Sequence, residues 1–424
     1  MDPDLRVVPA DDIAVKDVDE DALRVISRLQ RHGYEAYLVG GCVRDLMLGR
    51  KPKDFDVATD AHPRQIKRLF RNGRIIGRRF RLVHIVYGDQ VIETATFRRE
   101  PPAAKGDADL LIVEDNEYGS AVEDARRRDF TVNGLFLDPA RWEILDYVGG
   151  LRDLEAGVLR TIGEPAVRLA EDPVRIMRAI KFATRLGIRI GDRTWEAMCN
   201  QAQELVRSAP PRVFEEILRL LRSGTALGAF RMMRKNGALA ALFPEIDQFL
   251  GAKDDPDPKA HDRADSYWRL LEALDADVHS GRIPDTPVLV AVLFLRLLEH
   301  EQELAFEEGA EEDIDELLDI VVGPYAERAR IPRRILESTR RVLLAQRRFT
   351  QPVTKNFRPL RFVRSPEFKD ALALFRLRSA AWGQGWDVYE GWLRRYEESK
   401  SMPPEELEEL SGDKRRRRPR RRRR

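Results

Sequence analysis

Gly40-Gly41-Cys42-Val43-Arg44-Asp45 and, nine residues on, Asp54-Phe55-Asp56 decide how this chain is read. Tyr34 to Val39 has the short apolar pattern of a strand, and the glycine pair predicts a tight turn into a short helix ended by Gly49. Alternation from Asp54 to Val57 predicts a second strand, because successive side chains point to opposite faces. Asp54 and Asp56 then share one face while Phe55 and Val57 pack beneath the sheet. Two carboxylates side by side repel each other unless a cation lies between them. Magnesium commonly sits on one or two carboxylates plus substrate phosphates. A glycine turn beside it lets backbone N–H groups approach a triphosphate. The combination points to metal-assisted nucleotidyl transfer.

At 424 residues the chain should hold more than one core, since single cores stop growing at about 250–300 residues. No apolar run is long enough to span a bilayer and the acidic N-terminal stretch lacks a signal-peptide pattern, so the expectation is a cytoplasmic protein without membrane insertion. Cys42 and Cys199 are too few for a disulfide framework or a zinc site. The net charge of +2 hides an asymmetry. Lys414 to Arg424 is basic throughout except Pro419, and without those ten charges the rest of the chain is net acidic. So dense a run of like charge repels itself and predicts a disordered tail, whose physical use is to pair with phosphates and release counterions.

Helical spacing of Ala22, Val25, Ile26 and Leu29 predicts a helix closed by Gly33, and Pro63 opens another that runs to about Arg71 and stops at Gly73. Arg79–Tyr87 and Val91–Phe97 read as strands joined by Gly88-Asp89-Gln90. If the second of these pairs beside the Asp54–Asp56 strand, Glu93 faces the same metals. His84 reads as a packing or hydrogen-bonding residue, and Arg99–Glu117 as a mobile loop. From about Asp153 helical patterns dominate: Glu171-Asp172-Pro173 starts one, and Pro210-Pro211 precedes another with Val213, Phe214, Ile217, Leu218 and Leu221 as its buried stripe. Gly251–Ala264, rich in Asp and Pro, reads as a loop or linker. The predicted class is α+β: a small mixed-sheet head (residues 1–155), a helical neck (156–245), a helical body (246–400) and the basic tail (401–424).

Arg126-Arg127-Arg128-Asp129-Phe130-Thr131-Val132-Asn133 supplies the charge neutralisation that phosphoryl transfer asks of a protein, although alone it would read as a surface ion-pair network. With it, five segments in order resemble the class II tRNA nucleotidyltransferase/poly(A) polymerase family: Gly40–Asp56, Glu123–Asn133, Asp146–Leu154, Glu171–Arg178 and Arg212–Glu216. The match covers about the first half of the chain. Within the family, Ile75–His84, Lys51-Pro52-Lys53 and the Arg-rich end are more similar to the bacterial poly(A) polymerase branch than to the CCA-adding branch. One departure is Cys42, where many polymerases have a third glycine.

The resemblance implies that Asp54 and Asp56 hold two Mg²⁺ ions, with Asp129 as a third active-site acid ahead of Glu93. It implies that Gly40, Gly41 and Arg44 orient the phosphates. Asp172 and Arg175, three apart on a helix and so neighbours on its face, would read the base, with Arg178 in the same nucleotide-binding motif. Adenine and cytosine present the same donor–acceptor order on their pairing edges, so that pair separates neither from the other. The implied substrates are ATP and RNA 3′ ends, in the company of RNA-bound or RNA-decay proteins, and the implied state is a monomer. The implied activity is template-independent AMP addition that promotes RNA turnover. The sister activity, complete or partial CCA addition to tRNA, stands as the alternative. A catalytically dead RNA-binding fold is disfavoured by the intact acids.

Overall fold

In the computed structural model, the described residues are 5–77, 81–99, 117–252, 258–309, 313–351 and 359–401. They fall into two units, Met1–Ser208 and Ala209–Arg424. The first is built on eight strands: β1 (Arg6–Pro9), β2 (Ala36–Val39), β3 (Asp56–Thr59), β4 (Gly73–Ile76), β5 (Leu82–Tyr87), β6 (Gln90–Thr96), β7 (Leu135–Asp138) and β8 (Glu143–Asp146). Their order is β1-β8-β7-β2-β3-β6-β5-β4. The β3–β6 pair is parallel and every other pair is antiparallel.

The helices of this unit are α1 (Glu20–Arg31), α2 (Gly41–Met47), α3 (Pro63–Leu69), α4 (Ala121–Arg126), α5 (Gly150–Glu155), α6 (Pro165–Glu171), α7 (Val174–Leu186) and α8 (Asp192–Asn200). Helix α1 buries Ala22, Val25, Ile26 and Leu29 as their spacing predicts, and Asp19 caps it by accepting from Ala22 N–H at 2.9 Å. On one face of the sheet Val39, Ala58, Phe97 and Phe136 pack under Ala121 and Ala125 of α4.

Strand β3 begins at Asp56, two residues later than alternation predicts. The register explains it. Leu38 lies opposite Val57, so Asp54 and Phe55 would fall opposite Gly41 and Gly40, where the chain has already turned out of the sheet. Gly73, expected only to stop α3, opens the edge strand β4. Strands β1, β7 and β8 were not expected at all. They are short, and β7 is buried at every position, so it shows no alternation. Most of the Arg99–Glu117 segment, residues 78–80 of the Ile75–His84 stretch and all of Lys414–Arg424 lie outside the described residues.

The second unit is helical throughout its described residues. Every residue from Val288 to Leu295 in the helix Thr286–Glu307 is buried, which marks it as the central element. Near its C-terminal end the unit closes on an aromatic cluster of Phe349, Phe362, Phe368, Phe375 and Trp392, with Trp392 Nε1 donating to the Phe349 carbonyl at 3.0 Å. The Asp- and Pro-rich stretch expected as a linker is helical from Pro258, in the helix Pro258–His279. Buried Ala260, Tyr267, Leu270, Leu271 and Leu274 form a stripe that its acidic composition masks. Among the described residues no helix is long and apolar enough to cross a membrane.

Candidate active site

Strand β2 ends where Gly40 takes φ +76°, a conformation that side chains other than glycine rarely adopt. Its N–H donates to the Leu135 carbonyl at 3.0 Å, so this amide belongs to the sheet and is not presented to a phosphate. Gly41 opens α2, and the first N–H groups of a helix have no acceptor within it. A Cβ on Gly40 would meet Arg128 Nη1 at 2.7 Å. The turn is therefore glycine partly because a guanidinium presses on it. Cys42 is buried in the first turn of α2 and has no positive φ, so the departure from a third glycine is accommodated.

Asp56 heads β3 opposite Glu93 on β6, and residues paired in register point to the same face. The conditional strand pairing that brings Glu93 to this site is met. Asp54 precedes the strand, and both it and Asp56 are exposed by surface area. The surroundings of Asp56 nevertheless disfavour its charged form. Desolvation is the largest influence on it, Glu93 the next; Arg128 opposes them and Asp54 adds to them, and the carboxyl is pushed up to about 6. Glu93 in turn has His84 Nε2 at 3.5 Å, so His84 is a partner of the acid cluster.

Asp129 is differently placed. Its Oδ2 accepts from Arg178 Nε at 2.8 Å and Nη2 at 2.5 Å, while Oδ1 accepts from Phe130 N–H at 2.8 Å and Asn133 Nδ2 at 3.1 Å. Burial works to raise this carboxyl, but Arg178, Asn133 and the Phe130 N–H outweigh it and hold it below the usual range. Both oxygens are committed to protein donors. Strand register brings Glu93 beside Asp56, while Asp129 is tied to Arg178 and Asn133.

Arg44 also differs from expectation. It is 2% exposed, with Nε and Nη2 on Asp45 Oδ1 (2.9 and 2.6 Å) and Nη1 on Asn133 Oδ1 at 2.5 Å. Such a guanidinium has no open face for a phosphate. Arg185 reaches the other oxygen of Asp45 at 3.0 Å. A continuous chain Arg178–Asp129–Asn133–Arg44–Asp45–Arg185 therefore ties α7 to α2. The guanidinium beside the turn is instead that of Arg128, one member of the Arg126–Asn133 cluster. Its Nε and Nη2 rest on Asp124 Oδ2 (3.2 and 2.9 Å), leaving the guanidinium between that acid, the Gly40 turn and Asp56.

Asp172 and Arg175 do not share a helix. Asp172 sits in the break between α6 and α7, extended at φ −148°, ψ 91°, because Pro173 follows it. Arg175 is buried, with Nη1 donating to the Arg168 carbonyl at 2.6 Å and to Glu171 Oε2 at 3.1 Å. Arg168 donates in turn to the carbonyls of Arg127 and Arg128, at 2.7 and 3.2 Å. This clasp joins the break to the basic segment, and no local pattern announces it.

Three family profiles match: a poly A polymerase head domain over residues 36–160, a probable RNA and SrmB-binding site of polymerase A over 187–250, and a polymerase A arginine-rich C-terminus over 310–424. Poly(A) polymerase I of Salmonella typhi is 38% identical over 389 residues, covering 89% of this chain and 82% of that protein. That of Haemophilus influenzae is 35% identical over 411 residues, covering 93% and 88%. The chain belongs to the bacterial poly(A) polymerase I family. The CCA-adding branch is also related: an enzyme of Lactobacillus delbrueckii subsp. bulgaricus is 32% identical over 269 residues, 62% of this chain and 65% of that protein. The crystal structure of the Bacillus stearothermophilus CCA-adding enzyme in complex with CTP superposes with TM-score 0.65 at 25% identity, covering 89% and 82%. Like its relatives, this member of the poly(A) polymerase family is a nucleotidyltransferase. Its glycine turn, Asp54, Asp56, Glu93 and Asp129 all fall within the matched head domain.

Proposed function

We propose that this poly(A) polymerase family member adds AMP from ATP to RNA 3′ ends without a template, with Mg²⁺ held by Asp54 and Asp56. The observation that carries the reading is the pair of exposed carboxylates beside a glycine turn, with Glu93 on the same face and an up-shifted Asp56. Carboxylates desolvated and crowded enough to raise Asp56 despite Arg128 nearby fit a hard divalent cation. Among the described residues no group of three or more His, Cys, Asp or Glu side chains is arranged to hold a metal ion. Magnesium commonly sits on one or two carboxylates and takes its other ligands from water and substrate phosphates. When bound, the metal supplies a lowered pKa for the RNA 3′-hydroxyl and charge compensation for the leaving pyrophosphate.

The chain's own residues supply the rest. Arg128, braced by Asp124, neutralises the triphosphate beside the Gly40 turn, and the Gly41 amide approaches it. Arg44 acts through Asn133 and Asp45 as a positioning residue for α2. Asp129 holds Arg178 beside the nucleotide. Asp172, half-buried at the break before α7, accepts from the amino group of the base, and the buried Arg175 holds the break in shape. An acceptor there suits the amino groups on the pairing edges of adenine and cytosine and leaves the choice between ATP and CTP to other contacts.

Purified protein with Mg²⁺ and each single NTP, offered a generic RNA primer and a tRNA lacking its CCA end, tests the reading. Long ATP-dependent extension of the generic primer is expected. The likeness to CCA-adding structures sustains a second reading. Short additions that stop on the tRNA, especially with CTP, would establish that reading instead.

A further inference from the structure

The helical unit contains a cavity of about 780 Å³ that none of the roles above uses. It is walled by the helices Pro258–His279, Thr286–Glu307, Arg333–Thr350 and Phe368–Trp382. Gln346 and Gln302 line it, with Gln346 held in place by its Nε2 donating to the carbonyls of Val342 and Ala371 at 3.0 Å each.

The rest of the wall is flat and cationic. Arg378 and Arg296 lie 5.4 and 5.5 Å from the Trp382 ring, and Arg378 lies 5.9 Å from Phe375. Both guanidiniums are held by Glu299, at 3.1 Å from Arg378 Nε and 2.5 Å from Arg296 Nη1, and Glu303 is 3.9 Å from Arg296. Their charge is thus largely balanced and their planes are held still, which suits stacking better than phosphate capture. Arg347 also lines the cavity and leaves the wall net positive. Water has no use for an indole and two guanidinium planes. RNA bases that leave the stack are held in this way, on aromatic rings or arginine planes with their edges hydrogen-bonded. The volume lies within the usual range for small-ligand pockets.

We propose that this cavity holds one unstacked base of single-stranded RNA, its plane against the Trp382–Arg378 wall. The proposal rests on the reading of the chain as an RNA-processing enzyme, and it assigns an RNA contact to the helical unit.

Equilibrium binding of a fluorescein-labelled oligoadenylate to the full chain, by anisotropy in EDTA and without ATP, keeps the acid cluster out of the measurement. Trp382→Leu should weaken binding about ten-fold, and Trp382→Phe should recover most of it. Trp386→Leu, at an exposed tryptophan that does not line the cavity, should bind as wild type. Circular dichroism melts report folding; if Trp382→Leu does not fold, Arg378→Gln gives the second reading, again with several-fold weakening expected. Wild-type affinity in folded Trp382→Leu or Arg378→Gln, or no binding by the wild type, overturns the proposal. Cavity-dependent binding by a protein that extends no primer would leave the cavity standing and remove the active-site reading. Primer extension with cavity-independent binding would do the reverse.

Discussion

At the scale of single residues, the acids divide by what already holds them. No protein donor among the described residues holds Asp54, whereas Asp129 is saturated by Arg178, Asn133 and the Phe130 N–H. Asp54→Ala should therefore abolish nucleotide addition while the thermal melt stays within a degree or two of wild type, because an exposed side chain contributes little to folding. Substantial residual turnover would remove Asp54 from the metal site. Asp129 makes the opposite prediction. Its carboxyl is held low in the folded state, so its stabilisation is complete above the ordinary carboxylate pKa of about 4 and is lost as pH falls through the lower folded value. Arg178→Ala leaves a buried carboxylate unpaired. It should cost on the order of 2 kcal/mol at neutral pH, less than a fully buried pair because the Arg178 side chain keeps 34% of its surface exposed. That gap should narrow as pH falls toward the lowered folded value, because protonation first relieves the carboxylate that the variant leaves unpaired and only later reaches the wild-type pair. Urea titrations across pH check it, and a gap that stays constant would mean the ion pair is not its source. Asp54 and Asp56 stand out as candidates because their neighbours in sequence are distinctive, whereas the commitment of Asp129 to Arg178 depends on a helix that follows it in the chain. Arg44 and Arg128 were not distinguishable, since which guanidinium is buried depends on how Asp45, Asp124 and Asn133 meet when the Gly40–Asp56 and Glu123–Asn133 segments come together.

At the scale of elements, the decisive object is the junction of β2 with α2. Gly33 and Gly40 both have positive φ, +84° and +76°, but nothing lies within 4 Å of a Cβ at Gly33, whereas Arg128 Nη1 lies 2.7 Å from one at Gly40. Gly33→Ala should cost about 1 kcal/mol of strain and leave nucleotide addition alone. Gly40→Ala should cost about 1–3 kcal/mol and also displace Arg128, raising the KM for nucleotide well beyond any change caused by Gly33→Ala. Equal kinetic effects of the two variants would show that Arg128 has no part in nucleotide binding. Elements with clean periodicity, such as α1 and the helix Pro210–Leu221, were legible from their buried positions alone. Boundaries set by tertiary pairing were not. Strand β3 loses Asp54 and Phe55 because β2 ends opposite them, and α6 breaks from α7 at a proline that the sequence reading had placed inside one helix start.

At the scale of the whole molecule, charge and architecture were legible where composition is uneven, and less so where packing decides. The sheet order could not be read from strands as short and as buried as β7, while the basic end of the chain needs no fold to be read. Lys414–Arg424 lies outside the described residues, so its contribution is argued from charge alone. Ten positive charges in eleven residues neutralise phosphates and release counterions whichever RNA they meet. Each phosphate contact on a single strand contributes about 0.7 to the slope of log affinity against log salt. If half of the ten charges engage, deleting Lys414–Arg424 should flatten that slope by roughly 3–4 and weaken binding most at low salt. The chemistry at Asp54 and Asp56 does not draw on those charges, so the maximal rate at saturating primer should survive the deletion. Anisotropy titrations of an oligoribonucleotide over a series of salt concentrations measure the slope directly. An unchanged slope in the truncated chain would mean that the tail does not touch RNA, and that the affinity for the primer comes from the folded units alone.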